Sequence, residues 1–190
     1  MRPVPSSLSA EDWVRVGLGE VGALGHSFSS HKRMAQWVSS RLALSEMLRT
    51  NSIHLDSQWS ISMSHTQTDA LVCGVMAKSS EGSSVRVGVD LESSHRKMSE
   101  RAIHRVFSQE ELRLGLSPIA LWTLKEAAFK AFALKGLVLP QIRIQSWDAA
   151  QSLALVHACE SQRICRVWFF TSKEVSLSFA LWTESFPDSK

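Results

Sequence analysis

The chain has 190 residues, 44% of them hydrophobic, and a formal net charge of +3. That length and apolar fraction suit an ordinary globular core and exclude a disordered or low-complexity protein. The mild positive charge suits an anionic ligand or an acidic partner surface, and the absence of a dense Lys/Arg run argues against a nucleic-acid footprint.

Cys73, Cys159 and Cys165 are odd in number and lie at no metal-ligand spacing, which speaks against a disulfide framework or a zinc site. The start, Met1-Arg2-Pro3-Val4-Pro5, lacks the apolar stretch of a secretory signal, and no segment approaches a membrane span. The expectation is a cytoplasmic protein that does not engage membranes.

From Ser30 to Thr50, Met34, Trp37, Val38, Leu42, Leu44, Met47 and Leu48 recur at roughly helical spacing, which predicts a long helix bearing Lys32, Arg33 and Arg41. The alternating stretch 59–64 and the apolar run 70–77 read as strands of a hairpin about the polar turn 66–69. The Ser/Gly-rich segment 78–84 is the candidate lobe boundary. A strand over 85–91 follows it. Two short helices fit between Met98 and Leu114, the second opened by Ser108 with Glu111 at the capping-box position. A second long helix spans 121–134, opened by Ser117-Pro118 and closed near Gly136. Stretches 142–147, 153–157, 164–171 and 175–182 form an antiparallel series, because their separators are too short for crossover helices. This pattern predicts an α+β protein of two similar lobes, residues 1–84 and 85–190, with a ligand cleft between them.

In the strand segment Val87-Gly88-Val89-Asp90-Leu91-Glu92, Asp90 and Glu92 share one face. Two carboxylates there suit magnesium, which takes one or two carboxylates plus phosphate oxygens. Taken alone, the pair also fits a solvated strand edge. In Trp122-Thr123-Leu124-Lys125-Glu126-Ala127-Ala128-Phe129-Lys130, Trp122, Glu126 and Lys130 lie four apart on one helical face. Glu126 could complete a metal site or act as a base; the plain alternative is an exposed Glu-to-Lys pair. Ser64 and His65, in Ser62-Met63-Ser64-His65-Thr66, project to opposite faces of a strand end. They make a poor nucleophile and base, and suit a phosphate or an adenine ring better. Lys32, Arg33 and Arg41 suit phosphate groups or a solvated helix face.

In this order the segments resemble the 4′-phosphopantetheinyl transferases of the Sfp type. Their signature, (V/I)-G-(V/I)-D with a carboxylate two residues on and then W-(S/T)-x-K-E-(A/S)-x-x-K, is matched by residues 87–92 and 122–130. The basic stretch 31–41 is similar to the family's first helix, although Ser40 stands where glycine is common. Residues 62–66, 107–111 and 136–140 resemble its S-x-S-H-S/T, F-S-x-x-E and G-L-x-L-P segments. The segment between Glu111 and Trp122 is shorter than in many relatives.

The resemblance implies a pseudo-two-fold pair of α+β lobes with coenzyme A between them. It implies Asp90, Glu92 and Glu126 as magnesium ligands on the pyrophosphate, and Glu126 as the base. Lys130 would stabilise or protonate the leaving phosphate, Lys125 would contact phosphate, and Arg41, Ser64 and His65, with Lys32 or Arg33, would hold the adenosine end. The implied partner is an apo acyl or peptidyl carrier protein and the implied activity holo-carrier synthesis. Two lobes in one chain already supply a complete cleft, so the expected state is a monomer. The rival readings are a coenzyme A-binding relative without activity, an unrelated nucleotide phosphotransferase, and a purely structural domain. No G-x-x-x-x-G-K-[ST] loop supports the phosphotransferase.

Overall fold

In the computed structural model the described residues are 14–20, 44–46, 48–50, 52, 58–66, 71–79, 84–159, 161 and 163–183. Strands β2 (Trp59–His65) and β3 (Leu71–Lys78) pair antiparallel, Ser62 opposite Val75, as the hairpin expectation requires. Strand β1 (Val14–Glu20) adds to the far edge of β3, giving the order β1-β3-β2. It lies outside the predicted elements, although Val14, Val16 and Leu18 carry the period-two alternation of a strand. Of the expected first helix, residues 44–46 and 48–50 are helical. Lys32, Arg33 and Arg41 lie outside the described residues.

The second sheet has the order β4-β8-β7-β6-β5 and is antiparallel throughout. Its strands are β4 (Val85–Ser93), β5 (Ile142–Asp148), β6 (Leu153–Ala158), β7 (Arg163–Thr171) and β8 (Val175–Thr183). Between β4 and β5 run the short helices α1 (Glu100–Val106) and α2 (Gln109–Leu112) and the long helix α3 (Pro118–Phe132). The capping box of α2 forms as its sequence predicts: Ser108 Oγ accepts from Glu111 N, and Glu111 Oε2 accepts from Ser108 N. Helix α3 begins three residues before the apolar pattern does, because Ser117 caps Ala120 N at 3.2 Å and Pro118 occupies the first turn. It ends on Ala133 in the left-handed region, φ 46°, rather than at Gly136.

Helix α3 packs across β4, β8 and β7. Leu121, Leu124, Ala127, Ala128, Ala131 and Phe132 are buried there with Ile142, Val156, Val167 and Ala180. The opposite face of the sheet buries Val87, Val89 and Leu91 against Trp168, Phe179 and Leu181. Strand β4 is therefore covered on both faces. Where it crosses α3 the approach is so close that a Cβ on Gly88 would stand 2.7 Å from Ala131 N and closer still to the Ala127 carbonyl oxygen. Only glycine fits that crossing.

The edge strands β2 and β4 lie side by side, and side chains join them where a backbone ladder would otherwise run. Ser60, Ser62 and Ser64 Oγ accept from the N–H groups of Val87, Val89 and Leu91 at 3.0, 3.0 and 3.1 Å. Ser79 Oγ does the same for Val85 N at 2.9 Å. Each of the three β2 partners is 27 residues from its β4 mate, so the strands run in the same direction. The hydroxyls satisfy a row of edge donors that burial would otherwise leave unpaired.

Cys73 and Cys165 lie in strands, whereas Cys159 is exposed just after β6. Among the described residues, no helix is long and apolar enough to cross a membrane.

Candidate active site

The alternation of β4 sends Val87, Val89 and Leu91 into one core and turns Gly88, Asp90 and Glu92 toward α3. Because Gly88 lets the helix come close, Lys130 on α3 reaches Asp90: its Nζ donates to Asp90 Oδ1 at 2.8 Å and to the Val89 carbonyl oxygen at 2.8 Å. Ser64 arrives from β2. Its hydroxyl donates to Asp90 Oδ1 at 3.1 Å while it accepts from Leu91 N. Two segments 40 residues apart thus meet at one carboxylate, and a third closes on it from the neighbouring sheet.

Asp90 is 6% exposed, and its second oxygen, Oδ2, is buried with no hydrogen-bond partner. An orphaned carboxylate oxygen is costly to bury, and it marks a place where a cation or a donor belongs. Glu126 stands on the same helical face as Lys130. Burial pushes its carboxyl above the ordinary carboxylate range, and the negative charges of Asp90 and Glu92 push the same way against Lys130 and Arg96. Burial also raises Glu92, with Arg96 opposing. Glu92 pairs with Arg96, whose guanidinium lies 5.4 Å from the ring centroid of Trp122.

No group of three or more His, Cys, Asp or Glu side chains among the described residues closes on a common point that could hold a metal. Magnesium does not demand such a cage; it is bound by one or two carboxylates together with substrate phosphates and water. Asp90, with its unpartnered oxygen, and Glu126, held near it in a carboxylate-rich setting, fit that hard-donor requirement. His65 is half-buried, its Nδ1 3.2 Å from the Thr66 carbonyl oxygen.

Lys125 is placed differently from the phosphate contact expected of it. It is 0% exposed, and its Nζ donates to Val106 O at 2.7 Å and to Glu111 at 3.0 Å above the ring of Phe107. Helical geometry explains this: Lys125 is one residue from Glu126, so it leaves the helix about 100° away and enters the core under α1 and α2. Glu111 completes the network by accepting from Ser108 N and from Ile144 N at 3.0 Å. Burial alone would raise the Glu111 carboxyl, but those N–H groups and Lys125 bring it below the ordinary range. Two residues of this region carry no signal in the sequence for the part they play. Arg96 stands four residues after Glu92 with no motif around it, and the core-facing role of Glu111 is invisible behind its capping role.

The protein is thus of the α+β class, with cations paired to carboxylates in a half-buried setting where β4 meets α3. The chain belongs to the 4′-phosphopantetheinyl transferase superfamily, whose family model matches residues 86–180, half of the sequence, from β4 to β8. None of the curated proteins compared with the chain matches it.

Proposed function

We propose that the chain transfers the 4′-phosphopantetheine arm of coenzyme A to a serine of an apo acyl or peptidyl carrier protein and releases 3′,5′-ADP. The observation that carries this is the convergence on Asp90: a buried carboxylate with one oxygen shared by Lys130 and Ser64 and the other left without a partner. Membership of the superfamily supports it. On this reading the chain is of the Sfp type and consists of two lobes, 1–84 and 85–190. On the same reading coenzyme A binds along the junction of the two sheets, its adenosine end held by His65 and Arg41 with Lys32 or Arg33.

Asp90 and Glu126 would hold a magnesium ion, with Glu92 as the third carboxylate of the site. Bound there, magnesium would offset charge on the pyrophosphate. The remaining work belongs to side chains. Glu126 takes the proton of the carrier serine as the serine oxygen forms a bond to the pantetheine-side phosphorus. The bond from that phosphorus to the ADP oxygen breaks, and Lys130 stabilises the departing phosphate. Asp90 and Ser64 keep Lys130 aimed at that position.

Intact-mass spectrometry of apo carrier proteins incubated with the chain and coenzyme A, with and without magnesium, tests the reading. A magnesium-dependent gain of about 340 Da, the formula mass of one phosphopantetheine, is expected. Coenzyme A binding without any mass gain would replace it with that of an inactive binder.

A further inference from the structure

Arg96 is the cation that the family signature does not include. It follows β4 by a tight turn in which Arg96 N bonds to Ser93 O at 3.0 Å, and the turn is tied to the β7–β8 connection through Ser94 N and Glu174 O at 2.8 Å. This returns the side chain over the end of its own strand. There its Nη1 donates to Glu92 Oε1, and its guanidinium lies 5.4 Å from the ring centroid of Trp122, on the α3 face that carries Glu126 and Lys130. Ion pair and ring together hold the group at 28% exposure over a carboxylate that is 12% exposed.

The charges then sort into pairs. Lys130 covers Asp90, Arg96 covers Glu92, and Glu126 is the carboxylate left over. With two cations already in place, a divalent ion arriving alone would turn the cluster net positive. One arriving with a pyrophosphate would not, because the phosphate oxygens give the guanidinium a planar bidentate partner in exchange for Glu92.

We propose that Arg96 is a built-in counter-cation that occupies Glu92 in the free protein and competes with the metal there, so that metal and coenzyme A bind cooperatively. This rests on the reading of Asp90 and Glu126 as metal-bearing residues. Reciprocity requires that coenzyme A tighten the metal by the same factor by which the metal tightens coenzyme A.

The test is a titration of Mn2+, followed by electron paramagnetic resonance, into the purified full chain with and without coenzyme A and with no carrier protein present. Wild type, Arg96→Gln, Arg96→Met and Asp90→Asn are compared, each with its fold checked by circular dichroism. Arg96→Met keeps an apolar stem against Trp122, so it serves if Arg96→Gln does not fold. The neutral variants are expected to bind Mn2+ alone on the order of ten-fold more tightly than wild type, with a smaller gain on adding coenzyme A. Asp90→Asn should lose Mn2+ binding. Neutral variants that bind Mn2+ no more tightly than wild type, while Asp90→Asn loses it, would overturn the role of Arg96 and leave the site standing. Mn2+ binding unchanged by Asp90→Asn would remove the metal site itself and the inference with it.

Discussion

Replacing Gly88 by alanine is expected to separate α3 from β4 and to disable the site by the same movement. The added Cβ would stand 2.7 Å from Ala131 N and nearer to the Ala127 carbonyl oxygen, where ordinary contact begins at 3.4 Å. The nearer oxygen sets the displacement, so the helix must recede by about 1.5 Å at that point. Both obstacles are helix backbone, so no rotamer change relieves them. Overpacking in a filled core typically costs 1–3 kcal/mol, and a clash on unyielding backbone puts this one at about 3 kcal/mol. For a chain of this size that is a fall of about 6–12 °C in Tm. Receding also draws Lys130 from Asp90, now 2.8 Å apart, so transfer to a carrier should fall further than the loss of folded protein explains. Calorimetry with parallel mass-spectrometric transfer assays below Tm reads both effects. A Gly88→Ala protein with wild-type Tm and wild-type transfer would refute the claim that this crossing holds the site together.

Three further outcomes are expected. The Glu126 carboxyl is raised in the folded protein above its unfolded value, so its ionisation opposes folding at neutral pH, and the penalty fades as pH falls below the raised value toward 4.5. Glu126→Gln should accordingly raise Tm at pH 8 and raise it less near pH 5, while abolishing transfer; equal shifts at both pH values would contradict the raised carboxyl. Glu111→Gln and Lys125→Met should each cost about 3–5 kcal/mol in guanidinium unfolding, since each strands a buried charge, and the double variant should cost less than their sum. Ser64→Ala leaves Leu91 N without an acceptor and frees one side of Asp90, so a loss of about 1–3 kcal/mol is expected, together with reduced transfer that Ser64→Thr partly restores.

Local chemistry explains why most elements are legible in the amino-acid sequence. Ser108 with Glu111, Ser117 with Pro118, and the alternation of β2 act over a few residues, so their spacing alone reports them. The shared face of Asp90 and Glu92 and that of Glu126 and Lys130 follow from strand and helix periods. Strand β1 alternates but is interrupted by Gly17 and Gly19, and its place beside β3 is a long-range pairing.

The order of the elements, the signature residues and the side of each element on which they stand can all be read from the chain without its fold. Which of them meet depends on the packing of the folded chain. Adjacent in sequence, Lys125 and Glu126 part because a helix turns by about 100° per residue, sending one into a buried pair with Glu111 and the other toward Asp90. Ser64 became the neighbour of Asp90 through edge strands joined by hydroxyls, and Arg96 became the partner of Glu92 through a turn that no periodicity announces. Contacts of that kind depend on how whole surfaces pack, and the crossing at Gly88 shows how little space the packing leaves.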